Sequence, residues 1–211
     1  NAKKDTWSST ETTLTEGTTK EDFDKDSVLS RFDHQLKNSG INTSHTLSPD
    51  FSWSSTDIFQ IKNYHQLEKY IVLFPFCSPH LTSKKWPYYN DLINLINKKY
   101  DNNYKIVIAP GPNEIKEATN INALCILDNG KALDISQLAA LIKDSSYVVA
   151  NDTGPAHIAA HLGSKGIALF GSHISPFKVS IERENFKAIQ APELSKLSPE
   201  KVFERLSNSI S

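Results

Sequence analysis

Asn151-Asp152-Thr153-Gly154-Pro155-Ala156-His157 places a carboxylate, a hydroxyl, an imidazole and a Gly-Pro pair in one short stretch. It follows the apolar run Tyr147-Val148-Val149-Ala150 and precedes the helix-like Ile158-Ala159-Ala160-His161-Leu162. A strand therefore ends at Asn151 and a helix begins within a few residues. Asp152 or Thr153 can cap that helix, and Pro155 suits its first turn, where a missing backbone N–H costs nothing. The amides of Thr153 and Gly154 then point out of the helix start, beside the positive end of its dipole, a place that binds phosphate or diphosphate. An ordinary capped turn between strand and helix carries the same signature.

A second constellation, Phe76-Cys77-Ser78-Pro79-His80-Leu81-Thr82-Ser83-Lys84-Lys85-Trp86-Pro87, joins an apolar strand to a helix. Two lysines and several hydroxyls in one loop can hold a polyanion, with the ammonium groups as point charges and Ser78 or Thr82 as donors. The same lysines also fit a solvated surface. Pro110-Gly111-Pro112-Asn113-Glu114 can bring a carboxylate to ribose hydroxyls, or can simply turn the chain.

Other chemistries find no support. His157 and His161 have the i, i+4 spacing of the zinc motif His-Glu-x-x-His, but Ile158 stands where that motif needs its glutamate. His157, near the helix start, suits a phosphate or leaving group instead, and His161 reads as structural or surface. The chain has no Gly-x-Ser-x-Gly elbow and no Walker-type phosphate loop, since Gly130-Lys131 lacks the preceding glycine and a following hydroxyl. Cys77 and Cys125 sit in or beside apolar runs and read as buried thiols rather than a disulfide.

The elements that must position these groups follow from periodicity. Strands are predicted at Tyr70 to Phe76, Tyr104 to Ala109, Ala123 to Leu127, Tyr147 to Ala150 and Gly166 to Phe170. Helices are predicted at Pro87 to Tyr100, Glu114 to Thr119, Ile135 to Lys143 and Pro199 to Ile210. Apolar strands alternating with helices imply a parallel α/β sheet covered on both faces, with ligands at the carboxyl ends of its strands. Three loops land there: Cys77 to Trp86, Pro110 to Glu114 and Asn151 to Pro155.

Upstream the pattern is weaker. Residues 1–20 are crowded with Thr, Ser, Lys and Glu and cannot offset the entropy of ordering. Asp26 to Asn38 carries Val28, Leu29, Phe32 and Leu36 at helical spacing, with Gly40 placed to end the helix. Ser44 to Asn63 reads as a linker that packs through Phe51, Trp53 and Phe59. The domain division read here is 1–65 and 66–211. The chain has 211 residues, 23 Lys and Arg against 24 Asp and Glu, so no basic excess argues for nucleic acid or an acidic membrane. No apolar run reaches the length of about 18 residues that a membrane span requires, so any membrane contact is expected to be peripheral. The absence of Met in a chain that begins with Asn suggests a fragment or a processed chain.

In order and spacing, three pieces resemble the carboxyl-terminal half of the ADP-heptose:lipopolysaccharide heptosyltransferase family, whose members have two Rossmann-like domains in the GT-B arrangement. They are Lys84-Lys85-Trp86-Pro87, then Gly130-Lys131-Ala132-Leu133 before a helix, and Asn151 to Ala160 followed by Ala168-Leu169-Phe170-Gly171. The resemblance implies inverting transfer of a sugar, heptose above all, from an ADP-sugar to a lipopolysaccharide-core or lipid-linked acceptor. No cofactor and no metal is implied. It also implies a cytoplasmic location, with peripheral contact at the inner membrane.

By the same resemblance, Lys84 and Ser78 hold the diphosphate or sugar phosphate, and Glu114 faces the ribose. Asp152 touches the sugar, while Thr153, Gly154 and His157 touch the diphosphate. The catalytic base of the family lies in its amino-terminal domain, so no residue here is assigned to it. A nucleotide-sugar-binding module without turnover, or a phosphate-binding scaffold, remains the alternative. Phe76-Cys77-Ser78 departs from the family's Gly-Ala/Thr-Ser/Thr, and its bulk is expected to narrow the approach of the sugar phosphate.

Overall fold

The computed structural model describes Thr19, Glu21 and residues 25–210, so the polar stretch over 1–20 lies outside the described residues apart from Thr19. Two compact units divide the chain. One comprises residues up to Pro49 with Ser175–Ser180, and the other Asp50–Ile174 with the chain from Ile181 onward.

In the first unit, helix α1 (Val28–Asn38) begins at Ser27, whose hydroxyl accepts the Ser30 amide at 3.3 Å. The Val28 amide donates to the Lys178 carbonyl at 2.8 Å and the Leu29 amide to the Ser180 hydroxyl at 3.4 Å. First-turn amides that a helix leaves open are thereby satisfied. The expected apolar face is only partly realised: Phe32 is 42% exposed, while Asp33 and Gln35 are buried. Lys37, one turn on, lies 2.7 Å from the Asp33 carboxylate and offsets the cost of burying it.

The second unit runs through a 3-10 turn (Ser52–Ser54), α2 (Phe59–His65), β1 (Tyr70–Phe74), a 3-10 turn (Thr82–Lys84) and α3 (Tyr89–Tyr100). It continues with β2 (Lys105–Ile108), α4 (Ile115–Ala118), β3 (Leu124–Cys125), α5 (Ile135–Lys143), β4 (Tyr147–Asn151) and α6 (Gly154–His161). Then come β5 (Gly166–Phe170), β6 (Phe186–Gln190), a 3-10 turn (Leu194–Lys196) and α7 (Pro199–Ile210). All strand pairs are parallel, in the order β3-β2-β1-β4-β5-β6. This is the expected α/β, Rossmann-like sheet.

Alternation sorts the core into two layers. Ile71, Leu73, Ile108, Tyr147, Val149 and Leu169 pack with Leu92, Ile93 and Ile96 of α3 and with Val202 and Leu206 of α7. Burying each such aliphatic side chain stabilises the fold by about 1.5–3 kcal/mol. On the other face the Tyr70 hydroxyl donates to the Leu141 carbonyl of α5 at 2.8 Å, and small residues Ala156, Ala159 and Ala160 let α6 sit close. Gly166 is required where β5 starts: a Cβ there would lie 2.6 Å from the Val148 carbonyl oxygen and 2.7 Å from the Phe186 ring.

Several expectations are corrected. The linker contains helix α2, hidden in the sequence because Phe59 and Tyr64 are 64% and 83% exposed and only Ile61 is buried, leaving no apolar stripe. The Asp57 carboxylate accepts the Phe59 amide at 2.8 Å, and Lys62 pairs with Asp144 at 2.7 Å. Trp53, expected to pack, is 78% exposed. Strand β6 was not anticipated, because this edge strand mixes Lys187 and Gln190 with buried Phe186 and Ile189. Predicted strand ends shrink: β1 stops before Pro75, and the third strand keeps only two paired residues. Cys77 and Cys125 are free thiols, half-buried rather than buried.

The connections leave β1 and β4 toward opposite sides of the sheet, so a crevice opens at their carboxyl ends. The loops after β1 and β4 are those that carry Lys84 and Asp152.

Candidate functional site

Asn151, the last residue of β4, is fully buried and ties the three elements around the crevice together. Its Nδ2 donates to the Pro75 carbonyl at 2.9 Å, and its Oδ1 accepts from the Trp86 amide at 3.3 Å. The Tyr89 hydroxyl lies 3.1 Å both from that Oδ1 and from the Phe74 carbonyl oxygen. A buried amide so satisfied fixes the end of β1, the start of α3 and the end of β4 in one register. Trp86 is anchored in turn by its indole N–H on the Leu197 carbonyl at 2.8 Å.

Helix α6 then starts with Gly154, preceded by Thr153 in an extended conformation. Neither Asp152 nor Thr153 caps it as expected. Thr153 makes no side-chain cap bond, and its hydroxyl donates instead to the Asn151 carbonyl at 3.3 Å. The Thr153 and Gly154 amides have no hydrogen-bond partner among the described residues. The uncapped helix start therefore offers two donors and the positive end of its dipole.

The carboxylate that does not cap is the hub of the site. Asp152 is buried, with Lys84 Nζ at 2.6 Å and His173 Nε2 at 2.9 Å, both on Oδ2. His157 Nε2 lies 3.7 Å from Oδ1. Burial, the largest single influence, pushes the Asp152 carboxyl up, but the combined pull of His157, Lys84 and His173 outweighs it and holds the group well below the usual carboxylate range. Asp152 is thus an ionised acceptor and a poor base.

Ser78, Lys84, Glu114, Asp152, Thr153, Gly154 and His157, drawn from three loops distant in sequence, all line one cavity of about 500 Å³. Leu133, Leu138, Ala109 and Pro110 form apolar parts of its wall. Glu114 accepts the Gly111 amide at 2.8 Å, which closes its own turn. The paired lysines separate: Lys85 salt-bridges Glu117, and only Lys84 lines the cavity. Phe76 and Cys77 also line the cavity, and burial pushes the Cys77 thiol up. A second cavity, of about 730 Å³, is bordered by Phe59, Tyr64, His65 and Asp128. Among the described residues no lysine or arginine lines it, which makes it a poor anion site.

Nothing local in the sequence marks His173 as a site residue. It belongs to no motif, yet it follows β5, whose loop must reach the same carboxyl edge as those of β1 and β4, and that was the available signal.

His161 lies a turn beyond His157 and is structural. Its carbonyl accepts the Phe51 amide at 3.1 Å, and its Nδ1 lies 3.3 Å from Arg183 Nη2. Burial first, then Arg183 and His157, lowers its pKa to about 4. The unfolded chain, with an ordinary imidazole near 6.5, binds the proton first. Stability is therefore full above about pH 6.5 and falls as the pH drops toward about 4, by about 1–2 kcal/mol after allowance for solvent screening. Urea denaturation at pH 7 and pH 4.5 should show this loss, and His161→Gln should abolish the part of the slope in that window. An unchanged slope in the variant would place the titration elsewhere.

The family model of glycosyltransferase family 9 (heptosyltransferase) matches residues 19–202. The chain belongs to this family. Comparison with curated proteins gives no match. Among solved structures, the family 9 chain is similar to a glycosyl transferase family 9 protein from Veillonella parvula, with TM-score 0.70 and 16% identity over 94% of this chain and 62% of that one. It is similar to E. coli heptosyltransferase WaaC with ADP, with TM-score 0.61 and 21% identity over 85% and 56%. The E. coli ADP-heptose lps heptosyltransferase II gives TM-score 0.58 and 20% identity over 72% and 50%. At these identities the likeness establishes the fold. The family 9 chain spans between 50% and 62% of the lengths of these relatives. No helix among its described residues is long and apolar enough to cross a membrane.

Proposed function

We propose that the cavity binds the nucleotide diphosphate of an ADP-sugar and that the chain is the donor-holding part of an inverting heptosyltransferase acting on a lipopolysaccharide-core acceptor. The observation that carries this reading is the convergence on one crevice of two unpartnered amides, Lys84, Asp152 and His157. WaaC was solved with ADP, and this likeness makes ADP the natural first ligand to test. The apolar wall at Leu133, Leu138 and Pro110 suits a nucleobase, and the Glu114 carboxylate in the lining suits ribose hydroxyls.

Charge accounting shapes the mechanism. The cavity is lined by one lysine and two carboxylates, so a diphosphate cannot be held by net positive charge. It is held by amides and dipole at the start of α6 and by whatever share of Lys84 it draws from Asp152. As the glycosidic bond breaks, the leaving ADP gains negative charge, and donors already aimed at it lower the barrier without reorganising. Asp152, held ionised by its three partners, is not the group that takes the acceptor's proton, and the base is assigned to none of the described residues.

Calorimetry with ADP, ADP-heptose and ADP-glucose tests the proposal. ADP-heptose is expected to bind more tightly than ADP-glucose, and EDTA to leave all three affinities unchanged. Loss of binding in EDTA would contradict a metal-free site, and absence of ADP binding would remove the donor reading. One second reading is a binding module without turnover, supported by Asp152 being engaged by Lys84 and His173, so that none of the described residues is assigned as the base. Binding of ADP-heptose without transfer to a lipopolysaccharide-core acceptor would establish it.

A further inference from the structure

Lys84 cannot give its full charge to a diphosphate while it serves Asp152, and Asp152 cannot be left alone. Its side chain is 4% exposed, and a buried carboxylate stripped of its partner is strongly disfavoured. His173 resolves the conflict geometrically. It meets the same oxygen, Oδ2, at 2.9 Å, and it does not line the cavity, so a ligand there need not displace it. An ionised carboxylate only accepts, so the bond places the imidazole proton on Nε2.

The loop is built to hold that ring. His173 stacks on Phe170, with the planes 9° apart. Gly171 is buried, and a Cβ there would come 3.3 Å from His173 Nδ1, so a side chain would push the ring by a few tenths of an ångström. Gln190 of β6 donates to the Gly171 carbonyl at 3.4 Å.

We propose that His173 is a positioning residue of the donor site: it keeps Asp152 partnered and oriented while an arriving diphosphate draws Lys84 away. This rests on the nucleotide-diphosphate reading of the cavity. Asp152 is shared between Lys84 and His173 in the free protein, and His173 alone holds Oδ2 when the diphosphate is bound. Without His173, releasing Lys84 would leave Oδ2 with no partner and Asp152 with His157 alone, 3.7 Å away on Oδ1 and itself lining the cavity, so every diphosphate would bind less well, whatever sugar it carries.

A double-mutant cycle read by ADP calorimetry tests this. His173→Ala should weaken ADP binding about tenfold, whereas His173→Gln, which keeps an N–H at similar reach, should stay within about threefold of the parent. In an Asp152→Ala background Lys84 has no carboxylate to abandon, and His173→Ala should then change ADP affinity less than twofold. Thermal melts of each variant establish that it is folded. Unchanged ADP affinity in His173→Ala, or the same tenfold loss in the Asp152→Ala background, would overturn the positioning role and leave the nucleotide reading standing. Failure of the parent protein to bind ADP would overturn both.

Discussion

Lys84→Ala is expected to weaken ADP binding by about 1–3 kcal/mol, which is about 5- to 150-fold, the range for a charge-assisted contact to phosphate. Among the described residues Lys84 is the only lysine lining the cavity, because Lys85 is drawn off by Glu117. The loss is smaller than a free ammonium would give, since contact with a diphosphate competes with the 2.6 Å pair to Asp152. The fold should survive the substitution, since His173 still donates to Asp152 and Asn151 still holds the crevice. Lys84→Arg should not restore affinity fully, because a planar fork replaces a point charge. Calorimetric affinity unchanged in Lys84→Ala, in a protein that melts like the parent, would remove Lys84 from the site.

Asp152→Ala should separate the sugar from the nucleotide. If Asp152 hydrogen-bonds the donor sugar, ADP-heptose affinity should fall by about 1.5–3 kcal/mol, or about 10- to 150-fold. ADP affinity should move by less than about threefold, because the substitution also frees Lys84 for the diphosphate. Asp152→Asn keeps the shape and one acceptor oxygen and should fall between. Titrating the same variants with both ligands decides the matter. Equal losses for ADP and ADP-heptose would mean that Asp152 acts on the diphosphate through Lys84 and His157 and does not touch the sugar.

Much of this molecule could be read before it was seen, for a physical reason that differs by element. Buried parallel strands are continuous apolar runs, and Ile71 to Phe74, Val148 to Ala150 and Ile167 to Phe170 are unmistakable as such. Helices α3, α5 and α7 each bury one face and so carry the 3.6-residue period. Helix α2 and strand β6 lack such a face. Phe59 and Tyr64 are exposed and Lys187 alternates with buried Phe186, so their secondary structure is imposed by neighbours rather than encoded in a period.

The site divides in the same way. Local sequence determined the strand-to-helix turn at Asn151 to Pro155, the free amides that follow from it, and which residue types could meet an anion there. Parallel topology, itself legible, determined that loops far apart in the chain would share one edge of the sheet. Tertiary structure alone decided which of two adjacent lysines lines the cavity, that Asp152 turns from the helix it could have capped to Lys84, and that His173 shares its Oδ2. Those choices depend on distances between side chains some 20 to 70 residues apart, and a one-dimensional pattern holds no information about which of several donors a buried carboxylate will take.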